Sequence, residues 1–100
     1  MMEGRASVAA DVLASYAADA AREVDGVHGL VEGRLPRQGA VRIDETDGRA
    51  TVELHLELEW GASAQAVGSE VQRRVSDYLE RMAGARPGAV NVVVDEIAAP

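Results

Sequence analysis

The sequence predicts a two-layer α+β domain whose two helices pack on one face of a three-stranded sheet, in the order helix, strand, strand, helix, strand. Three observations support this fold class. Two segments carry apolar residues at helical spacing, one segment alternates apolar and polar residues, and breaks containing Gly or Pro separate the segments. A chain of 100 residues has the length of one domain. We place that domain at residues 7–98, after an N-terminal tail of residues 1–6.

The composition excludes several classes of function. The chain is 47% apolar and 27% charged, which is typical of a globular domain. It has no cysteine, so disulfides, thiolate nucleophiles and cysteine-bound metals are excluded. Its net charge of -7 repels nucleic-acid phosphates and anionic membrane surfaces. Asp11 and Asp19 interrupt the N-terminal apolar run, and no segment approaches the roughly 20 apolar residues that span a bilayer. We therefore expect a cytoplasmic protein with no nucleic-acid partner and no direct membrane insertion.

The first helix is predicted from Ser7 to Val24. Ser7 is a candidate N-cap, and Gly26 can adopt the left-handed conformation that ends a helix. The apolar positions at helical spacing are Val8, Val12, Leu13, Tyr16, Ala20 and Val24. Residues 25–40 contain four glycines and a proline and therefore predict a loop.

Two strands, "VRID" and "ATVELHLELEW", are predicted to form a hairpin through a two-residue turn at Asp47-Gly48. That turn pairs positions whose numbers add to 95. Apolar residues then face apolar residues, and Arg42 faces Glu53, which supports the register. The apolar pairs are Val41 with Leu54 and Ile43 with Val52.

The second helix is predicted from an N-cap at Ser63 to a stop at Gly84. Its apolar face consists of Val67, Val71, Val75, Tyr78, Leu79 and Met82. The "ARPG" break follows, and residues 89–97, "AVNVVVDEI", predict the third strand.

The hairpin strand that begins at residue 50 has one apolar and one polar face. Its apolar residues, Val52, Leu54, Leu56, Leu58 and Trp60, are expected to face the helices. The open face then carries Glu53, His55, Glu57 and Glu59. A metal site or an acid–base pair needs concavity and partial desolvation, and a flat sheet face offers neither. We therefore expect no catalytic residue, no cofactor and no metal ion here, and a solvated face or a partner-binding surface remains.

The third strand adds one residue to this surface. Val92, Val93 and Val94 are consecutive, so at least one of them must face away from the helices. An unpaired sheet edge around Val93 is a template for another chain. The candidate interaction surface consists of Glu53, His55, Glu57, Glu59 and Val93.

Four phrases along the chain resemble the alkaline-shock-protein family of bacterial envelope stress response proteins. The first helix ends in "EV-x-GV-x-G", a hairpin strand runs into an aromatic-Gly pair, the second helix carries "VQ-x-x-V", and the closing strand carries "VNV-x-V". The matching residues are Glu23, Val24, Gly26, Val27 and Gly29, then Trp60 and Gly61, then Val71, Gln72 and Val75, and finally Val90 to Val94. The resemblance covers residues 7 to 97.

This resemblance implies a small, non-enzymatic protein that self-associates, helps to maintain the cell envelope and binds a membrane-anchored partner at the cytoplasmic membrane. It also leaves open a role as a regulatory partner of lipid-synthesis enzymes. The order of the predicted elements is also similar to that of a KH-like RNA-binding module, which is the alternative function. "GVHG" at residues 26–29 has the spacing of the "GxxG" loop that binds RNA phosphates, but it precedes the hairpin, and the acidic charge opposes RNA.

Overall fold

The computed structural model describes residues 2–32, 39–46, 49–84 and 87–100, with the side chains of all but residues 2–9, 83 and 87 among them. The elements are α1 (Met2–Arg22), β1 (Val27–Leu30), β2 (Val41–Thr46), β3 (Arg49–Leu58), α2 (Ala64–Ala83) and β4 (Pro87–Ile97). The predicted α+β class is confirmed, and both helices contribute to one core on one face of the sheet. The sheet has four strands rather than the three predicted.

Strand β3 is the centre of the sheet. It pairs in antiparallel fashion with β1 and β2 and in parallel fashion with β4. Because β1 pairs with residues 56–58 and β2 with residues 49–54, these two strands lie end to end along the same edge of β3. The main chain of His55 marks the junction, since its carbonyl accepts from Val31 and its N–H donates to Ala40.

The hairpin register predicted from the sequence is confirmed. Val41 pairs with Leu54 and Arg42 with Glu53, as the sum of 95 requires. The same register continues to the pair of Thr46 and Arg49. The turn residues 47–48 lie outside the described residues.

Strand β1 lies within the segment that the sequence analysis assigned to a loop, so that assignment was wrong for residues 27–30. Val27 pairs with Leu58 and Leu30 with Leu56, and Val27 is buried in the core. A segment of four residues that follows Gly26 and contains Gly29 has little strand preference of its own. The free edge of β3 beyond the end of β2 supplies the partner that stabilises it.

Helix α1 begins earlier than predicted. It starts at Met2 and runs through both the predicted cap, Ser7, and residues 2–6, which the sequence analysis had separated as a tail. Met, Glu, Arg and Ala all favour helix, and no proline interrupts this segment. Ser7 is therefore inside the helix rather than at its start, and its side chain lies outside those described.

Helix α2 has both predicted caps. The Ser63 hydroxyl accepts a hydrogen bond from the Ala66 N–H at 3.2 Å. Gly84 has a φ of 64° and its N–H donates to the Glu80 carbonyl. Since β3 and β4 are parallel, the chain must cross from one end of the sheet to the other between them. Helix α2 is that crossover, and it lies over β4.

The core lies between β3 and the two helices. The side chains of Val52, Leu54, Leu56 and Leu58 are fully buried there, as predicted, against Val71, Val75 and Leu79 of α2. Helix α1 contributes Leu13, Ala17, Ala20, Ala21 and Val24. Tyr16 and Tyr78 pack edge to face between the helices, with ring centroids 5.6 Å apart. Small alanines on α1 let that helix approach the sheet closely.

Three residues assigned to the helix-facing core are instead exposed. Trp60 is 66% exposed because β3 ends at Leu58 and the chain turns at Gly61. Val12 and Met82 are exposed as well, although both have helical spacing with core residues. Each lies at the margin of its helix's apolar stripe, where the sheet no longer covers it.

Candidate functional site

The uncovered face of the sheet carries the polar residues of three strands. On β3 it presents Glu53, His55 and Glu57, all half-buried. The register places Asn91 and Val93 of β4 beside the first two of these residues. On the other side, Arg42 of β2 lies opposite Glu53 and forms an ion pair with Asp44 at 3.1 Å.

His55 is the centre of a hydrogen-bonded cluster on this face. Its Nδ1 lies 2.5 Å from Oδ2 of Asp95, and its Nε2 lies 2.8 Å from Oε2 of Glu53. Only 12% of the His55 side chain is exposed. A neutral imidazole has one N–H, whereas the charged form donates from both nitrogens. The arrangement therefore satisfies both carboxylates only when His55 is protonated.

The pKa of His55 reflects opposing effects. Burial lowers the pKa, but the hydrogen bonds and the negative charges of Glu53 and Asp95 raise it, so that the net pKa lies above its ordinary value of 6.5. A raised pKa means that the folded protein binds the proton more tightly than the unfolded chain. The resulting stabilisation is complete below about pH 6.5 and is lost as the pH rises through the folded pKa.

We expect the free energy of unfolding to fall as the pH rises from 6.5 through the folded pKa of His55. His55→Gln should remove this pH dependence and, at pH 6, lower the free energy of unfolding by about 1–3 kcal/mol. Urea unfolding over a pH series measures both effects. His28→Gln is the matched control, because His28 is exposed on β1 and is the other of the two histidines. Equal pH profiles for parent and His55→Gln would contradict this role for the cluster.

The structure brings together four of the five residues predicted for the interaction surface. Glu53, His55, Glu57 and Val93 share the open face, and Val93, 36% exposed, lies beside His55. Glu59 lies just beyond the end of β3 and is exposed. Asp95, which holds His55, was not predicted. Alternation along β4 puts positions 91, 93 and 95 on one face, but the sequence did not reveal that β4 lies beside β3.

The side chains of the open face lie apart from two cavities of the protein, and the described ones form no metal-ligand group. Two cavities of about 590 and 340 Å³ lie elsewhere, the first between α1 and α2 and the second between α1 and β2. Within the described ranges, no group of three or more His, Asp or Glu side chains could hold a metal ion. Glu53 and Asp95 bind opposite nitrogens of His55 and do not converge on one point. This surface combines charged side chains with the apolar side chain of Val93.

The segment "GVHG" does not form an RNA-binding loop. Gly26 lies in a turn with a φ of 97°, and residues 27–29 belong to β1, paired with β3. A KH-like loop would instead join two helices and leave its backbone N–H groups open to phosphates. The geometry gives no support to the RNA-binding alternative.

The outer edge of β4 is the other exposed feature of the sheet. β4 pairs with β3 along its length, and in the part of the chain that the structure describes no strand pairs with its opposite edge. The Val90 carbonyl on this edge accepts a hydrogen bond from Nε2 of Gln72 at 2.9 Å. Unpaired strand edges of this kind bind further strands.

The sequence pattern of the alkaline shock protein 23 family, whose description gives a cell envelope-related function, matches residues 1–99. The chain belongs to this family. The four phrases that carry the resemblance lie in different parts of the fold. The first follows α1 and continues into β1, the second follows β3, the third is in α2 and the fourth is in β4. No curated protein sequence matches the chain significantly.

Solved structures share the fold at low sequence identity. A zinc form of a MamM CTD variant has a TM-score of 0.64 and 16% identity, and the match covers 86% of this chain and 84% of that one. A second MamM CTD variant has a TM-score of 0.59 and 12% identity, covering 89% and 98%. A nickel form has a TM-score of 0.57 and 13% identity, covering 86% and 96%. At such identities the likeness concerns the fold alone.

Neither helix has, over its described residues, the length and apolar content required to cross a bilayer.

Proposed function

We propose that this member of the alkaline shock protein 23 family is a non-enzymatic envelope protein that acts by self-association and by binding partners at the cytoplasmic membrane. The observation that supports this proposal most directly is the half-covered sheet. Both helices lie on one face, and among the described residues no helix or strand covers the other face or pairs with the outer edge of β4. An unpaired strand edge presents free main-chain groups with which another chain can pair, so an exposed edge is consistent with a binding role.

The character of the open surface supports binding rather than chemistry. The open face belongs to a sheet, its imidazole is held between two carboxylates, and the two cavities described above lie away from it. The exposed apolar side chain of Val93 on β4 lies beside these charges. Protein interfaces combine apolar contacts with a polar rim in this way.

Self-association should depend on concentration and on salt. We expect light scattering to give a mass above the 10.5 kDa monomer at tens of micromolar protein. Association should strengthen with added salt, because two copies that each carry a net charge of -7 repel one another. A strict monomer at high micromolar concentration at every salt level would overturn the proposal.

Val93→Glu should weaken this association at least about tenfold, since a buried like charge at an interface costs several kcal/mol. Val12→Glu is the matched control, because Val12 is 40% exposed on α1, compared with 36% for Val93. The ratio of dissociation constants from sedimentation velocity measures the difference. Equal weakening by both variants would place the contact elsewhere on the protein while leaving self-association intact.

A further inference from the structure

An uncharged strip runs from the outer edge of β4 onto the adjoining side of α2. On β4 it comprises residues 90–94, "VNVVV". On α2 the helical period places five uncharged residues on this side: Gln65, Gly68, Ser69, Gln72 and Ser76. The hydrogen bond from Gln72 to the Val90 carbonyl establishes that this side of α2 adjoins β4.

The charged residues of α2 lie on its other sides. They are Glu70, Arg73, Arg74, Asp77, Glu80 and Arg81. Arg74 pairs with Glu70 at 3.1 Å and reaches Glu23, the residue after α1, at 3.9 Å, so this charged side faces the end of α1. On a strongly acidic protein, the strip at β4 is where two copies can approach without bringing like charges together.

The main chain of β4 is arranged for pairing along this strip. Successive residues of a strand direct their N–H and C=O groups to opposite edges. The Val90 carbonyl points outward to Gln72, so Val92 and Val94 also direct their main-chain groups to the outer edge. Pro87 lies at the start of β4, and a register shift lies between Val94 and Glu96. Proline and bulges discourage edge pairing, and both lie outside residues 90–94.

We propose that two copies of this chain pair through β4 in antiparallel fashion about a two-fold axis at Val92, with the uncharged sides of their α2 helices meeting above the new ladder. This inference rests on the proposed self-association and specifies its site and register. Val90 of one copy lies opposite Val94 of the second copy, and Asn91 lies opposite Val93 of the second copy. The pairing joins the two sheets into one.

The proposed register also keeps the acidic residues of β4 apart. The paired segment, residues 90–94, contains no charged residue, and Asp95 and Glu96 lie beyond it, at and after the register shift. Like charges directly across a ladder are unfavourable, and this register has none within residues 90–94. The inward-facing valines, at 90, 92 and 94, extend the apolar layer beneath the helices across the junction.

The α2 helices limit how closely the two copies pair. Each α2 lies over its own β4, and paired strands are about 4.8 Å apart, which is less than the roughly 8–10 Å spacing of packed helices, so each α2 has to shift towards its own β3 when the pair forms. Close approach requires small side chains at the contact, and Gly68 and Ser69 lie on the meeting side. The hydrogen bond from Gln72 to Val90 is replaced by a main-chain bond from Val94 of the second copy.

Engineered thiols test the register directly, because the chain has no cysteine of its own. Asn91→Cys protein is mixed with Val93→Cys protein carrying a size tag, and the mixture is oxidised mildly. Opposite residues of a non-hydrogen-bonded antiparallel pair have Cα atoms about 4.5 Å apart, within the disulfide range of about 4.4–6.8 Å. We expect the mixed dimer to form, with each variant alone cross-linking at least about tenfold more slowly, because diagonal neighbours are about 7–8 Å apart. Asn91→Cys with Ser15→Cys controls for random collision, since Ser15 is on α1.

The outcomes separate this inference from the proposed function. A mixed dimer together with concentration-dependent mass supports both. Asn91→Cys or Val93→Cys protein that cross-links efficiently with itself overturns the axis at Val92. Association without any cross-link at these positions overturns pairing through β4 and leaves self-association standing, and monomeric reduced protein overturns both.

A charge on the meeting side of α2 provides a second readout that requires no oxidation. Ser69→Glu should weaken association at least about tenfold, because Ser69 lies one helical turn from Gln72 in the direction of Val92 and the two new carboxylates come close to the axis. Ser15→Glu should leave the dissociation constant unchanged. Unchanged association of Ser69→Glu would show that the α2 helices do not meet.

Discussion

Replacing Leu56 with alanine is expected to lower the free energy of unfolding by about 2–5 kcal/mol. Leu56 is fully buried at the centre of β3, between the neighbouring leucines that face both helices. Its truncation removes apolar contacts and leaves a cavity that a close-packed core fills only in part. Because domains of this size are stable by about 5–15 kcal/mol, the change removes a large share of the total. Urea unfolding with linear extrapolation measures it.

Glu57→Ala is the matched control for Leu56→Ala. The two residues are adjacent in β3, but Glu57 lies on the open face. Its replacement should change the free energy of unfolding by no more than about 0.5 kcal/mol. Losses of similar size from both variants would mean that the two faces of β3 are assigned incorrectly. The assignment of the interaction surface to the open face would then be contradicted as well.

Gly26→Ala should have a comparable effect for a different reason, lowering the free energy of unfolding by about 2–5 kcal/mol. Gly26 has a φ of 97°, which is unfavourable for any residue with a Cβ. A Cβ built there would lie 2.6 Å from Cγ2 of Val67, at the start of α2. Backbone strain and a steric clash therefore add, and this close contact explains the glycine in the phrase "EV-x-GV-x-G".

Gly61→Ala separates the two contributions to the Gly26 effect. Gly61 has a similar φ of 85°, but nothing lies within 4 Å of a Cβ built there. It should show the backbone cost alone, about 1–2 kcal/mol. A double-mutant cycle of Gly26→Ala with Val67→Ala should then reveal a favourable coupling, since the smaller Val67 side chain makes room for the new Cβ. Additive losses in that cycle, or equal losses at the two glycines, would argue against a clash with Val67.

The sequence predicted the hairpin better than any other part of the fold. Its register follows from the alternation of β3 and from one favourable charge pair, Arg42 with Glu53. The caps of α2 were equally predictable, because Ser63 and Gly84 act through bonds to residues three or four positions away. These features depend on residues close together in the chain, so a single sequence is enough to predict them.

The candidate site was predictable only in part. Alternation along β3 identified the open face and its residues Glu53, His55 and Glu57. The partner of His55 on β4 was missed, because Asp95 is 40 positions away and reaches His55 only through the parallel pairing that α2 imposes. Trp60 was misplaced for a related reason, since the end of β3 is set by the turn at Gly61 rather than by the apolar pattern.

The sequence by itself determined the α+β class, the alternation that divides β3 into buried and open faces, the hairpin register and the ends of α2, because each depends on residues close together in the chain. Tertiary structure alone decided that β1 is a strand, that β4 lies parallel to β3, that Asp95 holds His55 and that the uncharged side of α2 adjoins the free edge of β4. These features depend on which free edge and which apolar surface remain available once the hairpin and helices have packed. Distant segments compete for those places, and the outcome is set by the packing of the whole domain.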